Sequence, residues 1–277
     1  MKYEEILYTV TDRIATLTLN RPSRLNAWTP IMEAEVRSAM DIAGKDDGVR
    51  VIILTGAGRG FCSGADMASL EDSAKRGVLT MTEIKTEAGQ EGKDASNVRP
   101  DFQERHSYFP TIPKPIIAAI NGPAAGVGLI HTLYCDLRFA SEKARFSTVF
   151  SRRGLIAEHG VSWMLPKIVG LSNALDLLFS ARMVDAQEAL RRGLVDRVFP
   201  EEGLMAGVLA YANELATLVS PRSIGIIKRQ VYNAQFQTLA EAIHTGDEEM
   251  SLSVQSEDFK EGVAHFIEKR PPAFKGK

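Results

Sequence analysis

Glu158 is a carboxylate in an apolar sequence context. It lies in GLIAEHG, residues 154–160, between a short apolar run and a segment whose pattern predicts an amphipathic helix. Burial in such surroundings disfavours the charged form and raises the pKa of a carboxyl group toward the range that suits a general base. Glu158 is therefore a candidate for proton transfer. An acid here also fits a simple cap for the helix predicted to begin near Gly160.

Two glycine-rich stretches supply a second kind of chemistry. GRGFCSGADM, residues 58–67, and INGPAAGVGLIHTLYCD, residues 120–136, each follow a short apolar run. Glycine lets the backbone approach a ligand closely, and the first turn of a helix leaves N–H groups without internal partners. Two such N–H groups can stabilise the oxygen of a thioester or ester as it gains negative charge. Glycine at strand-to-helix joints also has a purely structural use.

Composition and motifs disfavour several other classes of protein. The 277 residues are 44% hydrophobic and 25% charged, which is typical of one large domain, or one domain with an appendage. A formal net charge of −2 gives no support for binding nucleic acid or an anionic membrane. Cys62 and Cys135 lack metal-ligand spacing, so neither a metal site nor a disulfide framework is indicated. GAGRG, residues 56–60, lacks the endings of a P-loop and of a dinucleotide site.

The N-terminus predicts a cytoplasmic location. MKYEEILYTV carries two acids where a signal peptide needs an apolar run. No stretch of the sequence approaches the roughly 18 to 20 apolar residues that a membrane-spanning helix requires. We therefore expect no membrane partner.

The elements that position these residues follow an α/β pattern. Residues 3–20 contain two β-rich runs separated by TDR, which predicts a hairpin. A helix is predicted next, with Thr29 as its N-cap. VRVIILTG, residues 49–56, and PIIAAING, residues 115–122, are continuous apolar runs of the kind found in fully buried strands. Strands and helices that recur in this order predict an α/β fold.

The chain becomes helical in its last third. Asp185 and Ser256 are predicted N-caps, and long amphipathic stretches lie between them. We therefore divide the chain into an α/β core, residues 1–200, and a helical C-terminal region, residues 201–277. Residues 69–111 are polar and charge-rich, which predicts a surface excursion, either a lid over the site or an insertion with no role.

The sequence resembles one known family along most of its length. From about residue 5 to residue 275 it is similar to the enoyl-CoA hydratase/isomerase family, also called the crotonase superfamily, and only residues 69–111 match loosely. The resemblance rests on five segments in the family's order and spacing: LNRPSRLNAW, VIILTGAGRGFCSGADM, KPIIAAINGPAAGVGLIHTLYCDLRFASEKARF, GLIAEHGVSWMLPKIVG and FIEKRPPAF.

The resemblance implies a fold and an oxyanion hole. Members of the family bind acyl-CoA, hold the thioester carbonyl between two backbone N–H groups and stabilise an enolate. The matching donors are the N–H groups of Ala65 and Val127; valine replaces a frequent glycine, but the backbone supplies the donor. The fold implied is a crotonase-like spiral of ββα turns with an α-helical C-terminal trimerisation region, and a homotrimer or a hexamer built as a dimer of trimers.

The resemblance also assigns contacts to coenzyme A. In RPSRLNAW, Arg24 would meet the CoA phosphates, and the backbone at Leu25 and Ala27 would line the path of adenine and pantetheine. Coenzyme A is part of the substrate in this family, and the resemblance implies no separate cofactor and no metal.

Further CoA contacts match two other segments. Asp66 and Met67 would flank the adenine. Phe266 and Lys269 match C-terminal residues that reach CoA, often from a neighbouring subunit. The same two residues also fit an ordinary exposed helix end.

Departures from the family pattern concern the reaction. Hydratases of the family carry two glutamates, and the positions that match them here are Ile130 and Phe150, neither of which transfers protons. Glu158 matches the sole catalytic acid of isomerases that convert 3-enoyl-CoA to 2-enoyl-CoA. It would take a proton from C2 and return it at C4. The expected apolar surroundings of this carboxylate are Ile130, Phe150, Leu155, Ile156 and Trp163.

Other functions remain open on the sequence. An enoyl-CoA hydratase would use Glu158 and a histidine on water, and a non-catalytic acyl-CoA binding protein would have lost both usual glutamates. A hydrolase that splits a carbon–carbon bond is disfavoured by the CoA-like motifs. His131 and His159 are auxiliary candidates: His131 because its helix lines the site in the family, and His159 because it adjoins Glu158. Neighbours on a turn usually point apart, which favours a structural or hydrogen-bonding role for His159. His106 falls in the 69–111 segment, where the sequence gives no orientation.

Overall fold

A computed structural model describes residues 2–77 and 99–277 of the chain. Its strands are β1 (Ile6–Thr11), β2 (Ile14–Leu19), β3 (Val51–Gly56), β4 (Ile116–Ile120), β5 (Pro123–Ala125), β6 (Leu137–Ser141), β7 (Arg145–Ser147), β8 (Val184–Asp185) and β9 (Arg197–Phe199). Its α-helices are α1 (Pro30–Lys45), α2 (Met67–Arg76), α3 (Val127–Tyr134), α4 (Val161–Val169), α5 (Leu171–Ser180), α6 (Ala186–Arg191), α7 (Leu204–Leu218), α8 (Pro221–Ala234), α9 (Leu239–Ser253) and α10 (Glu257–Glu268).

The strands form two sheets. The larger sheet has the order β1-β2-β3-β4-β6-β9, in which the β1/β2 hairpin is antiparallel and every later pair is parallel. The smaller sheet has the order β5-β7-β8. The predicted hairpin, the two buried strands and the mixed α/β class are therefore confirmed. Parallel neighbours need crossover connections, which here are largely helical.

The central strands β3 and β4 are buried on both faces of the large sheet, which explains their continuous apolar runs. In β3, Ile52 and Leu54 face the core that α1 covers, whereas Val51 and Ile53 face α7. A strand with only one buried face would alternate between apolar and polar residues. Since α7 covers the second face, the packing of the sheet extends past the predicted boundary at residue 200.

Predicted helix starts are confirmed where a side chain caps the helix. Thr29 accepts a hydrogen bond from the N–H of Met32 at the start of α1. Asp185 and Ser256 do the same at α6 and α10, accepting from residues three positions later. These short polar side chains satisfy N–H groups that the first helical turn leaves unpaired.

Part of the predicted surface excursion is instead packed into the core. Residues 67–76 form α2, and residues 99–111 include the buried side chains of Phe102, His106 and Phe109. The prediction of an exposed segment is therefore wrong for residues 99–111. The sequence did not indicate their burial, because the buried aromatic residues recur with neither a helical nor a strand period. Residues 78–98, which carried much of the predicted lid, lie outside the described residues.

The C-terminal helices expose apolar side chains. Val231 in α8, Ile243 in α9 and Ile267 in α10 are all exposed. In the described part of the chain no single helix is long and apolar enough to cross a membrane; only Glu201–Leu218 with Pro221–Ala234, bent by 110°, meets the length and composition test as a pair.

Asp136 links α8 to the large sheet through hydrogen bonds and an ion pair. Its carboxylate accepts hydrogen bonds from the N–H of Ile116 at 2.7 Å and from the ammonium of Lys228 at 2.7 Å. The Tyr232 hydroxyl donates to the other oxygen at 3.1 Å. Only 6% of the Lys228 side chain is exposed, so Asp136 supplies the counter-charge for a buried cation.

We expect Asp136→Ala to lower the free energy of unfolding by about 3 to 5 kcal/mol, because it leaves the Lys228 ammonium buried without a counter-charge. Urea denaturation of the variant measures this loss. Glu257→Gln is the control, because it removes an exposed ion pair in which the Glu257 carboxylate lies 3.3 Å from the Lys275 ammonium. This variant should lower the free energy of unfolding by less than about 1 kcal/mol. Equal losses in the two variants would contradict the role given to Asp136.

Candidate active site

The N–H of Ala65 is left free by the backbone pairing around it. Trp28 and Ala65 form an isolated parallel bridge, in which the N–H of Trp28 donates to Gly64 at 2.8 Å and the N–H of Asp66 donates to Trp28 at 3.0 Å. Successive N–H groups of an extended segment point to opposite sides, so the N–H of Ala65 points away from Trp28. Within the described residues it has no hydrogen-bond acceptor.

The N–H of Val127 also has no acceptor in the described part of the chain, for a different reason. Val127 is the first residue of α3, and the first N–H groups of a helix have no carbonyl within the helix to bond to. Gly126 precedes it with a φ of +50°, a backbone conformation that few residues other than glycine adopt. The helix dipole adds partial positive charge at this end of α3.

The loops that carry these two N–H groups are in direct contact. The N–H of Ala125 donates to the carbonyl of Cys62 at 2.9 Å, and Gly64 lies beside Ala125. At Gly128 a Cβ atom would lie 2.2 Å from that Cys62 carbonyl, which excludes any side chain. The glycines of both stretches therefore let two strand-to-helix joints pack together, and the two candidate donors lie on adjoining loops.

The predicted CoA strip surrounds the Trp28–Ala65 bridge. Arg24 is exposed at the end of a 3-10 turn, Leu25 follows with a φ of +50°, and Ala27 is buried. Met67 is exposed at the start of α2, while the carboxylate of Asp66 accepts a hydrogen bond from Arg21 at 3.0 Å. The structure thus brings these five predicted residues to one edge of the fold.

Sequence reasoning missed the residue that shapes this strip. Asn26 is fully buried with a φ of +55°, and its side chain bonds the N–H of Arg21 and the carbonyls of Ala57 and Gly60. It therefore ties the strip to the first glycine-rich loop. The only signal in the sequence was an asparagine inside an otherwise apolar LNAW stretch, since asparagine tolerates positive φ.

Phe266 and Lys269 lie away from this strip in sequence and face solvent. Phe266 is 81% exposed, and Lys269 ends α10 in a left-handed conformation. Exposure fits both the contact with a CoA molecule of a neighbouring subunit and an ordinary helix end.

Glu158 is half-buried beside α4, which begins at Val161. Its side chain is 22% exposed, and burial raises the pKa of its carboxyl group. The capping alternative receives no support, because the cap residue Gly160 has no side-chain cap and only the backbone carbonyl of Glu158 bonds to the helix start, at Val161. Among the described residues the carboxylate makes no hydrogen bond, and the Nε2 of His159 lies 3.8 Å from one of its oxygens.

The expected apolar surroundings of Glu158 are partly wrong. Ile130 and Phe150 are buried in the main core, and Leu155 packs against it. Ile156, in contrast, is 74% exposed, because the turn that carries it runs along the surface. Trp163 stacks on Phe236 at 5.2 Å.

Three histidines converge between α3 and Glu158, although the sequence separates them widely. His131 stacks on Trp28 at 3.9 Å, and its Nδ1 lies 2.8 Å from the Val127 carbonyl. The Nδ1 of His106 lies 3.3 Å from the Nε2 of His131. The rings of His106 and His159 meet edge to face with centroids 4.5 Å apart.

His159 and Glu158 approach each other, contrary to the expectation that neighbours on the turn point apart. The Nε2 of His159 lies 3.8 Å from a carboxylate oxygen of Glu158. His159 has a φ of +52°, in the left-handed region, and in this conformation its ring lies near the Glu158 carboxylate. The sequence offered no sign of this conformation, which is uncommon for a histidine.

The histidine cluster is electrically neutral. Burial lowers the pKa of His131 to about 3, lowers the pKa of His106 well below its ordinary value and lowers the pKa of His159 as well. Arg105 adds to these shifts, and its guanidinium is itself paired with the buried carboxylate of Glu33. No group of His, Cys, Asp or Glu side chains in residues 2–77 and 99–277 could hold a metal ion.

Comparison with known proteins identifies the family of the chain. The family model described as enoyl-CoA hydratase/isomerase matches residues 9–277. The 1,2-epoxyphenylacetyl-CoA isomerase of Escherichia coli (strain K12) is 33% identical over 99% of both chains, and a probable enoyl-CoA hydratase of Rhodobacter capsulatus is 33% identical over the full length of both. The structure of enoyl-CoA hydratase subunit I from Geobacillus kaustophilus matches with a TM-score of 0.86, 32% identity and full coverage of both chains. These matches confirm the resemblance, and the chain belongs to the enoyl-CoA hydratase/isomerase family with its crotonase fold.

Proposed function

We propose that the protein is an enoyl-CoA isomerase that moves a double bond from C3 to C2 of an acyl-CoA. The observation that carries this proposal is the distribution of proton-transfer groups. At the two positions that the resemblance assigns to hydratase glutamates, Ile130 and Phe150 are buried apolar side chains. Glu158 follows these two positions in the sequence; it is a half-buried carboxylate, and burial raises its pKa.

One carboxylate is sufficient for this reaction. The Glu158 carboxylate takes the proton from C2, and the electrons of the broken C–H bond move into the thioester carbonyl, which forms a dienolate. The N–H groups of Ala65 and Val127 stabilise the negative oxygen. The same proton then returns from Glu158 to C4, the double bond settles between C2 and C3, and the carboxylate is restored.

The CoA part of the substrate would lie along the strip around the Trp28–Ala65 bridge. Arg24 is exposed and suits the phosphates, while the backbone at Leu25 and Ala27 lines the approach to Ala65. Met67 offers an exposed apolar surface for the adenine, with Asp66 beside it.

Hydration of 2-enoyl-CoA is the second candidate function. The Rhodobacter capsulatus relative carries the name of a probable hydratase, and His159 lies close enough to Glu158 to help orient a water. The name of the Escherichia coli relative adds a third substrate for testing, 1,2-epoxyphenylacetyl-CoA. A non-catalytic acyl-CoA binding protein would bind all three and turn over none.

Glu158→Gln should lower kcat for 3-enoyl-CoA isomerisation by about 10²- to 10⁴-fold, because the amide cannot accept the C2 proton. KM should stay within a few-fold, since the amide keeps the shape of the side chain. Steady-state kinetics on matched 3-enoyl-CoA, 2-enoyl-CoA and 1,2-epoxyphenylacetyl-CoA measure both constants.

Glu201→Gln, at an exposed position, is the matched control and should leave both constants unchanged. The melting temperature of Glu158→Gln should equal or exceed that of the unmodified protein, because the amide removes a half-buried charge. Isomerisation that survives in Glu158→Gln would refute the single-carboxylate mechanism, and hydration as the main activity would favour the second candidate.

The pH dependence of kcat/KM should show an acid limb from Glu158. The reaction needs the carboxylate, so activity is lost as pH falls through the pKa of Glu158, and burial places that midpoint above the ordinary 4.5. A pH–rate profile measured in buffers of constant ionic strength locates it. A limb at or below the ordinary glutamate value would argue against a half-buried base.

We also propose that the chain assembles as a homotrimer or as a hexamer of two trimers. Support comes from the exposed apolar side chains of α8, α9 and α10, which are costly to leave in water. Light scattering should give three or six times the mass of one chain. A mass equal to one chain would refute the assembly and with it a neighbour's Phe266 and Lys269 at the CoA site.

A further inference from the structure

The hydrogen-bonding states of His131 and His106 can be assigned from their partners. The Nδ1 of His131 lies 2.8 Å from the Val127 carbonyl, and a carbonyl only accepts, so this nitrogen carries the proton. A neutral imidazole has one proton, which leaves the Nε2 of His131 as an acceptor. The Nδ1 of His106, 3.3 Å away, must then be the donor to it.

This assignment leaves one buried acceptor without a donor. The Nε2 of His106 carries the remaining lone pair, yet it is buried and has no hydrogen-bond partner among residues 2–77 and 99–277. His106 as a whole is only 2% exposed. An unsatisfied buried acceptor is costly, and such an atom in a native protein calls for a donor.

His159 is a side chain in ring contact with His106 that can supply a donor. Its ring meets the ring of His106 edge to face, with centroids 4.5 Å apart. Because the Nε2 of His159 is the nitrogen that lies near Glu158, its Nδ1 is the nitrogen left to donate a proton to the free nitrogen of His106. A proton on the Nε2 of His159 would leave the acceptor of His106 unsatisfied, so the Nδ1 tautomer is the more stable one.

We propose that His159 is a positioning residue that presents an unprotonated Nε2 to Glu158, and that His106 and His131 fix this tautomer. The Nε2 already lies 3.8 Å from a carboxylate oxygen of Glu158, and a shift of about 1 Å brings the two atoms to hydrogen-bonding distance. Hydrogen bonds in catalytic sites are often long before the substrate binds.

An acceptor nitrogen at this position selects the protonated form of Glu158. The carboxylate has no proton to donate, whereas the carboxylic acid formed after C2 deprotonation donates its O–H to the Nε2 of His159. The proton stays on the oxygen of Glu158, and the histidine remains neutral. This inference rests on the proposed function, because it concerns the protonated form of Glu158 that exists while the dienolate is present, before the proton returns to C4.

Burial is the largest cause of the lowered pKa of all three rings, and nearby charges act in addition; Arg37 also disfavours a proton on His106. Arg105 disfavours a proton on each of them, and Glu33, which favours one on His159, is neutralised by its own pair with Arg105. Neutral rings are required, because a doubly protonated His159 would donate to the Glu158 carboxylate and favour the opposite charge state.

The test measures imidazole tautomers by ¹⁵N NMR on the ¹⁵N-histidine-labelled protein, without substrate. His159 should carry its proton on Nδ1 in the unmodified protein. In His106→Leu that proton should move to Nε2, because its acceptor is gone and the Glu158 carboxylate is the remaining partner. The midpoint of the acid limb of kcat/KM should then move to lower pH by about one unit or more, because the Glu158 carboxylate gains a hydrogen-bond donor.

Burial alone predicts the opposite sign. Leucine is less polar than histidine, so desolvation would leave the acid limb unchanged or raise it. His106→Gln should keep the wild-type tautomer, because its amide N–H can donate to His131 and its oxygen can accept from His159. His244→Leu, at an exposed position of α9, is the control and should change neither readout.

A proton on the Nε2 of His159 in the unmodified protein would overturn the proposal, and so would a proton that stays on Nδ1 in His106→Leu. The first measurement decides even if the leucine variant does not fold. Neither result depends on turnover, so absence of isomerase activity would refute the proposed function while the tautomers still decide this inference.

Discussion

The close contact between the Cys62 segment and the start of α3 is the constraint on which the site depends. A Cβ at Gly128 would lie 2.2 Å from the Cys62 carbonyl, so the helix can reach this position only without a side chain there. The contact lies between the strand-to-helix joints that carry Ala65 and Val127. If the joints moved apart, the two N–H groups could no longer act together on one oxygen, as the proposed function requires.

Aromatic and hydrogen-bonding contacts also stabilise the two strand-to-helix joints. Trp28 brackets Ala65 through backbone hydrogen bonds and stacks on His131, which in turn bonds the Val127 carbonyl. The stacked pair thus contacts both segments that present the candidate donors. Glu33 accepts a hydrogen bond from the Trp28 indole at 3.3 Å and pairs with Arg105, which brings a third segment, close to His106, into the same network. The two candidate N–H donors and the histidine cluster are therefore parts of one packed unit.

The site combines two opposite electrostatic environments. The N–H groups of Ala65 and Val127 and the positive end of α3 favour negative charge on an atom bound beside them. Around Glu158 the surroundings favour the neutral carboxyl group instead, because burial raises its pKa and the adjoining histidines are uncharged. Such a division suits a reaction in which charge moves to the substrate oxygen while the protein carboxylate becomes protonated. Residues 99–111 matter here because they bring His106 into the core.

The sequence by itself determined the main strands, several helix starts and the family. Apolar runs at β3 and β4 predicted strands buried on both faces, Thr29, Asp185 and Ser256 predicted helix starts, and the five motif segments identified the family. These signals are local, since each depends on the residue types within a short stretch. Only the tertiary structure decided the rest. His106, His131 and His159 share no spacing that marks them as neighbours, and packing sets the left-handed backbone at His159, whose ring lies near Glu158. Contacts between distant segments and positive φ at residues other than glycine are chosen by the whole fold, and for that reason local sequence patterns could not predict them.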